Sequence, residues 1–125
     1  MVSYDREQPV GGPVVQGFSG RGFRVDGVVH TGGLWLTPTR ATSWAAPAID
    51  ALQPGDVAEL LAGSPPPEFL LLGTGPTMRR PSPAFTAAIE AMGFGVEAMD
   101  SRAAARAWIV LRGEGREIVA ALLPL

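Results

Sequence analysis

The stretch Gly73-Thr74-Gly75-Pro76-Thr77-Met78-Arg79-Arg80 is where residue types and spacing most suggest binding chemistry. Two glycines let a backbone come close to a ligand, and Arg79 and Arg80 can clamp an anion. The stretch follows an apolar run and precedes a helix start. In open α/β sheets, ligands often sit beyond the carboxyl ends of strands. The match to phosphate-binding loops is incomplete: Met78 stands where the third glycine of G-x-G-x-x-G belongs, and the Gly-Lys-Ser/Thr of a P-loop is missing. Gly73, Thr74, Gly75, Arg79 and Arg80 are therefore candidates for a ligand or anion site. The competing reading is a tight turn with a solvated arginine pair.

Other reactive groups are sparse. The single histidine, His30, follows Val28-Val29 near a strand end, and the sequence groups no nucleophile and carboxylate with it. One histidine and no cysteine cannot build an ordinary transition-metal site, and the 12 acidic residues are scattered rather than spaced as in a calcium loop. Ser3, Ser19, Ser43, Ser64, Ser82 and Ser101 lie outside any G-x-S-x-G elbow. Ser82 and Ser101 are read as helix caps. Glu97 and Asp100 are an acid/base pair only if their side chains converge, which a strand and its end do not require. No metal or cofactor is implied.

The elements that position these residues follow from pattern. Residues 1–13 are polar and Pro/Gly-punctuated and read as a flexible N-terminal arm, with a single domain over 14–125. Phe23 and Val25 alternate with Arg24, Asp26-Gly27 signals a two-residue hairpin, and Val28 to His30 follows. With Leu34 to Thr37 as a third strand, Phe18 to Thr37 reads as an antiparallel meander. Thr39 to Gln53, with Trp44, reads as a loop crossing the sheet. Pro54-Gly55-Asp56 opens a short helix to about Ala62, ended by Gly63-Ser64-Pro65-Pro66-Pro67.

Phe69 to Leu72 is a continuous apolar run of the kind buried on both faces of a sheet, and Ile118 to Leu123 is a second. Between them, Ser82-Pro83 starts a helix with Phe85, Ile89 and Met92 on one face and Gly93 as its stop. Val96 to Met99 is a short strand. Asp100 or Ser101 caps a last helix with Ala104, Ala107, Trp108 and Leu111 on one stripe. Ala105 and Ile109 lie on its arginine side. With Trp44 they mark a partner surface if they are exposed together. Strands alternating with helices predict an α/β fold with a mostly parallel sheet in the second half.

The 125 residues are 46% hydrophobic and 18% charged with a net charge of −2, so the chain can bury a core, and it lacks the basic excess a nucleic-acid binder needs. The ten basic residues are all arginine, which with the many Ala, Gly and Pro suggests a GC-rich bacterial genome. No run approaches the ~20 apolar residues of a membrane span, and the first residues lack a signal-peptide core. A cytoplasmic location is expected.

Several blocks carry a family resemblance. Gly73-Thr74-Gly75, the run Gly93-Phe94-Gly95-Val96-Glu97-Ala98-Met99-Asp100-Ser101, then Ala103-Ala104-Ala105-Arg106 and Glu114-Gly115-Arg116 stand at agreeing spacings over about Phe18 to Leu123. The chain resembles the Mth-type family of domains of unknown function, which includes mitochondrial complex I assembly factor 3 and the adipogenesis-associated Mth-type domain protein. The resemblance implies a three-layer α/β fold: a mixed central β-sheet flanked by helices, with an additional N-terminal β-hairpin. It implies no catalytic activity. It suggests a protein partner, with respiratory-complex or protein-export components as candidates. Many relatives carry a Cys and a Thr-aromatic-Asn triplet in the last helix. Here Ala105 and Ala107-Trp108-Ile109 stand instead, so a polar site built from those positions is not carried over. An interaction or assembly role is the leading expectation. A small-ligand or anion-binding module at Gly73 to Arg80, a cryptic enzyme included, is the alternative.

Overall fold

Two apolar runs form the centre of the molecule because neither has a polar face to offer water. In a computed structural model, which describes residues 11–125, they become the strands β6 (Phe69–Gly73) and β8 (Val119–Leu122). These lie side by side and parallel, with Leu71 opposite Ala120 and Gly73 opposite Leu122. A five-stranded sheet runs β5-β4-β8-β6-β7, where β4 is Leu34–Leu36, β5 is Ala41–Ser43 and β7 is Gly95–Met99. β7 is parallel to β6, whereas β4 is antiparallel to β8, so the sheet is mixed.

The two-residue period of the strands sorts their side chains into two cores. On one face Leu34, Leu36, Leu71, Ala120 and Leu122 pack with Ala104 and Trp108 of helix α3 (Ser101–Gly113). Phe23 and Val25 of a separate three-stranded sheet join them. That sheet is antiparallel, ordered β1 (Gly17–Ser19), β2 (Gly22–Val25), β3 (Val28–His30). On the other face Leu70, Leu72, Val119 and Ala121 meet Leu60 and Leu61 of α1 (Ala58–Leu61) and Phe85 and Ile89 of α2 (Pro83–Ala91). The architecture is the expected three-layer α/β fold. Its caps follow the sequence. The Ser82 hydroxyl accepts from the Phe85 amide with Pro83 in the first turn, and an Asp100 carboxylate oxygen accepts from the Ala103 amide.

The expected meander is corrected. Its first two strands pair with each other, but Leu34–Leu36 leaves them and enters the large sheet between β8 and β5. Gly33 makes the turn-out: its φ is +135°, and a Cβ there would lie 2.8 Å from the Trp44 carbonyl oxygen. The supposed loop after Thr39 begins as strand β5, paired so that Trp35 faces Thr42. Three residues of the expected arm, 11–13, are described. Pro13 is buried and its carbonyl accepts from the Trp108 indole at 2.7 Å, while the Gly11 carbonyl accepts from Arg112. Residues 1–10 lie outside the described residues.

At the opposite end of the sheet Glu68 clasps β6 to β8. Its carboxylate accepts from Arg116 Nε at 2.7 Å and from the Glu117 amide at 3.0 Å. The Arg116 hydrogen bond first, then that of the amide, holds the Glu68 carboxyl below the usual carboxylate range. A group depressed in the folded state stabilises it above the unfolded pKa, and this contribution fades as pH falls through the folded value. An NMR titration is expected to place the Glu68 midpoint below the usual glutamate value. In Arg116→Ala it should move up toward that value, the Glu117 amide keeping part of the depression. An unmoved midpoint contradicts the assignment.

Candidate functional site

The loop after β6 is shaped from beneath. Ser101 is fully buried, and its hydroxyl accepts from the Gly75 amide at 2.9 Å while donating to the Leu123 carbonyl at 2.7 Å. The Ser101 amide donates to the Gly75 carbonyl, and the Leu123 amide to the Gly73 carbonyl. Thr74 is buried as well. Its amide donates to the Met99 carbonyl, its hydroxyl donates to the Thr77 carbonyl at 2.8 Å, and the same oxygen accepts from the Arg79 amide at 3.0 Å.

The two glycines have structural reasons. A Cβ at Gly73 would lie 2.7 Å from Ser101 Oγ and 2.8 Å from a methyl of Leu122, so the absent side chain lets α3 and β8 close on β6. Gly75 turns the chain at φ +107°. At Gly73 the close approach that glycine permits is to Ser101 of α3 and Leu122 of β8.

The loop therefore spends its inward polar groups on itself and points other groups outward. Met78 is 51% exposed, and Arg79 and Arg80 are exposed with no ion pair among the described residues. Of the five candidate residues, Arg80 borders a shallow trough beside Thr86 and Glu90. The structure thus gathers Gly73, Thr74 and Gly75 around Ser101 and separates them from the guanidinium groups. Ser101 was expected to be a cap. Asp100 takes that role and frees the buried hydroxyl to hold the loop.

The other surface expectation divides. Trp44 is only 9% exposed and Ala105 2%, each taken into a different core. Ile109 is 45% exposed and is joined by Val110 at 60%. The buried arc of α3 includes Ala104, Ala105, Trp108 and Arg112, so Ala105 belongs to the core side despite its neighbour Arg106. The three residues do not form one surface.

One grouping was not visible in the sequence. His30 Nδ1 and Ser43 Oγ are 2.6 Å apart, joining β3 of the small sheet to β5 at the edge of the large one. Among the described residues no carboxylate hydrogen-bonds to this imidazole. The pair ties the sheets together, and it lacks the orienting acid of a hydrolase triad. Among the described residues no three of His, Asp and Glu gather around a possible metal position, and no helix is long and apolar enough to cross a membrane.

Known proteins place this arrangement in a family. An uncharacterized protein of Rhodobacter capsulatus is 34% identical over 111 residues, which is 89% of this chain and 84% of the relative. A crystal structure from Bordetella parapertussis superposes with a TM-score of 0.81 at 31% identity, covering 91% of this chain and 97% of that one. A Mth938-like domain of Bordetella pertussis, solved by NMR, gives a TM-score of 0.76 at 26% identity over 99% of this chain and 90% of its own. The family of proteins of unknown function DUF498/DUF598 matches residues 15–123, and the chain belongs to it.

Proposed function

We propose that this protein is a non-enzymatic interaction module that engages an acidic protein partner through the loop Pro76 to Pro81. One observation supports the reading most directly: the loop is held from below by Thr74 and Ser101 while Met78, Arg79 and Arg80 point to solvent. Methionine and arginine are enriched in protein interfaces, and a preformed loop loses little entropy on docking. The two guanidinium groups select an acidic surface, and Met78 selects an apolar pocket within it. By family resemblance the role would be assembly of a larger complex, with respiratory-complex or protein-export components as candidate partners. A small anion at the same loop is the weaker reading, because Gly75 and Arg79 already donate their amides internally.

The test is affinity purification from the source organism with three baits. Proteins recovered with the native chain should be lost with the triple variant Met78→Asp/Arg79→Glu/Arg80→Glu. They should be kept with Val110→Asp, an equally exposed change on α3. Equal recovery by the native chain and the triple variant, or no protein enriched by the native chain, contradicts the proposal. A melting temperature raised by inorganic phosphate and insensitive to partner proteins favours the anion reading.

A further inference from the structure

The five-stranded sheet ends on β7, and among the described residues no strand pairs with its outer side. One bond fixes the phase of its ladder: the Met99 carbonyl, level with Gly73, accepts from the Thr74 amide. Along a parallel strand, residues alternate between turning both backbone groups to the neighbour and turning both away. Gly95, Glu97 and Met99 therefore spend theirs on β6. Val96 and Ala98 each point an amide and a carbonyl outward. Such an edge is a template for another strand.

Charge and register both suit a second copy of the chain. Beside the edge, α2 and Val96 line a trough of about 420 Å³ whose walls also hold Arg80 and Glu90. Arg80 precedes α2 and Glu90 lies in its last turn, so the two charges stand at opposite ends of the helix. Neither has an ion pair among the described residues. A two-fold axis at Val96 reverses the second copy and brings each Arg80 to the other copy's Glu90, a self-complementary pattern. Gly95 is the second observation. Glycine weakens a strand, and within one it often marks the close approach of another backbone. Inside the chain it has no such reason: its φ is not positive, and a Cβ would meet only the Phe69 side chain at an ordinary 3.7 Å. With Val96 opposite Val96 in an antiparallel pair, Gly95 falls opposite Glu97 and leaves it room. Pairing about Glu97 instead sets two carboxylates directly opposite, which is destabilising.

We propose that the protein forms a two-fold homodimer in which two β7 strands pair antiparallel and join two five-stranded sheets into one. The Val96 amide and carbonyl bond those of the other Val96. Two Arg80–Glu90 pairs close the ends, and the half-buried Val96 and Ala98 leave water. Thr86 and Ala87, on the trough wall between the charges, are small enough for the two α2 helices to approach. Arg80 is the one residue the dimer shares with the displayed loop Pro76 to Pro81.

Sedimentation velocity of the full chain, diluted from about 1 mM to about 5 µM, tests this. The 13.1 kDa chain should approach twice its mass with a dissociation constant below about 200 µM. Arg80→Glu alone and Glu90→Arg alone should each weaken association by about tenfold, because like charges then meet at both ends. The double variant Arg80→Glu/Glu90→Arg restores opposite signs and should recover it. Gly95→Glu sets a carboxylate opposite Glu97 and should weaken the dimer, whereas Gly95→Arg should not. Gly95→Glu leaves the loop Pro76 to Pro81 untouched, so its effect separates this interface from the role of that loop. In ¹⁵N spectra, dilution should move the Val96 and Ala98 amides and leave that of Val119 in place. A chain monomeric at about 1 mM, a dimer that the double variant does not recover, or dilution shifts away from β7 overturns the proposal. Retained amide dispersion in each variant shows that lost association is not lost folding.

Discussion

Ser101→Ala should destabilise the protein by roughly 2–6 kcal/mol, because it strands two buried backbone groups at about 1–3 kcal/mol each. The Gly75 amide loses its acceptor and the Leu123 carbonyl loses a donor, in a place that water does not reach. The lost side-chain volume is small, so the effect is polar and not a cavity effect. Urea unfolding should show the drop as a lower midpoint with an unchanged slope. The change should also be local: the loop from Gly75 to Arg79 should lose order before α2 does. A midpoint within experimental error of the native chain would mean that the hydroxyl does not hold the loop.

Trp108→Ala is expected to cost about 3–5 kcal/mol, the range for deleting a large buried aromatic. Trp108 is fully buried between α3 and the first core, and its indole donates to the Pro13 carbonyl across 95 residues of sequence. Two contributions can be separated. Trp108→Phe keeps most of the packing and loses the donor, so it should cost about 1–3 kcal/mol for the stranded carbonyl plus a smaller packing loss. Against a total of roughly 5–15 kcal/mol for a domain, the alanine variant is left close to unfolding at 37 °C. Chemical denaturation of the three proteins checks the order native, Phe, Ala. An alanine variant within about 1 kcal/mol of native would show that the segment at Pro13 is not docked on α3.

Where sequence and structure agree, one local signal determined the answer. The runs at Leu70 to Leu72 and Val119 to Leu122 have no polar face and can only be interior strands. Ser82-Pro83 and Asp100 mark helix starts through backbone chemistry that acts within a few residues. Disagreement arises where a distant partner decides. Leu34–Leu36 has the same alternation whether it pairs with Val28–His30 or with β8, and only the bend at Gly33 sends it to the larger sheet. Ala41–Ser43 is too short and too weakly apolar to read as a strand without its neighbour β4. Trp44 stands in a polar stretch and is buried by residues that come later in the chain.

The same distinction governs the candidate loop. Gly73 and Gly75 are visible as an unusual turn, but Ser101, for which Gly73 makes room and which accepts from the Gly75 amide, lies 26 residues beyond Gly75. A glycine that makes room for a helix and one that makes room for a phosphate look alike in one dimension. Arg112 was missed for a related reason. It is buried, and its guanidinium reaches the nearby Arg116 carbonyl and Glu117 as well as the Gly11 carbonyl, 101 residues away, which only the fold brings to it.

The idea that the loop is a rigid platform for display can be read from amide hydrogen exchange in the native state. The Gly75 and Arg79 amides, bonded to Ser101 Oγ and Thr74 Oγ1, should exchange nearly as slowly as the amides of β6, and Ser101→Ala should release Gly75 selectively. Fast exchange of both amides in the native chain, on the scale of an open surface loop, would contradict it.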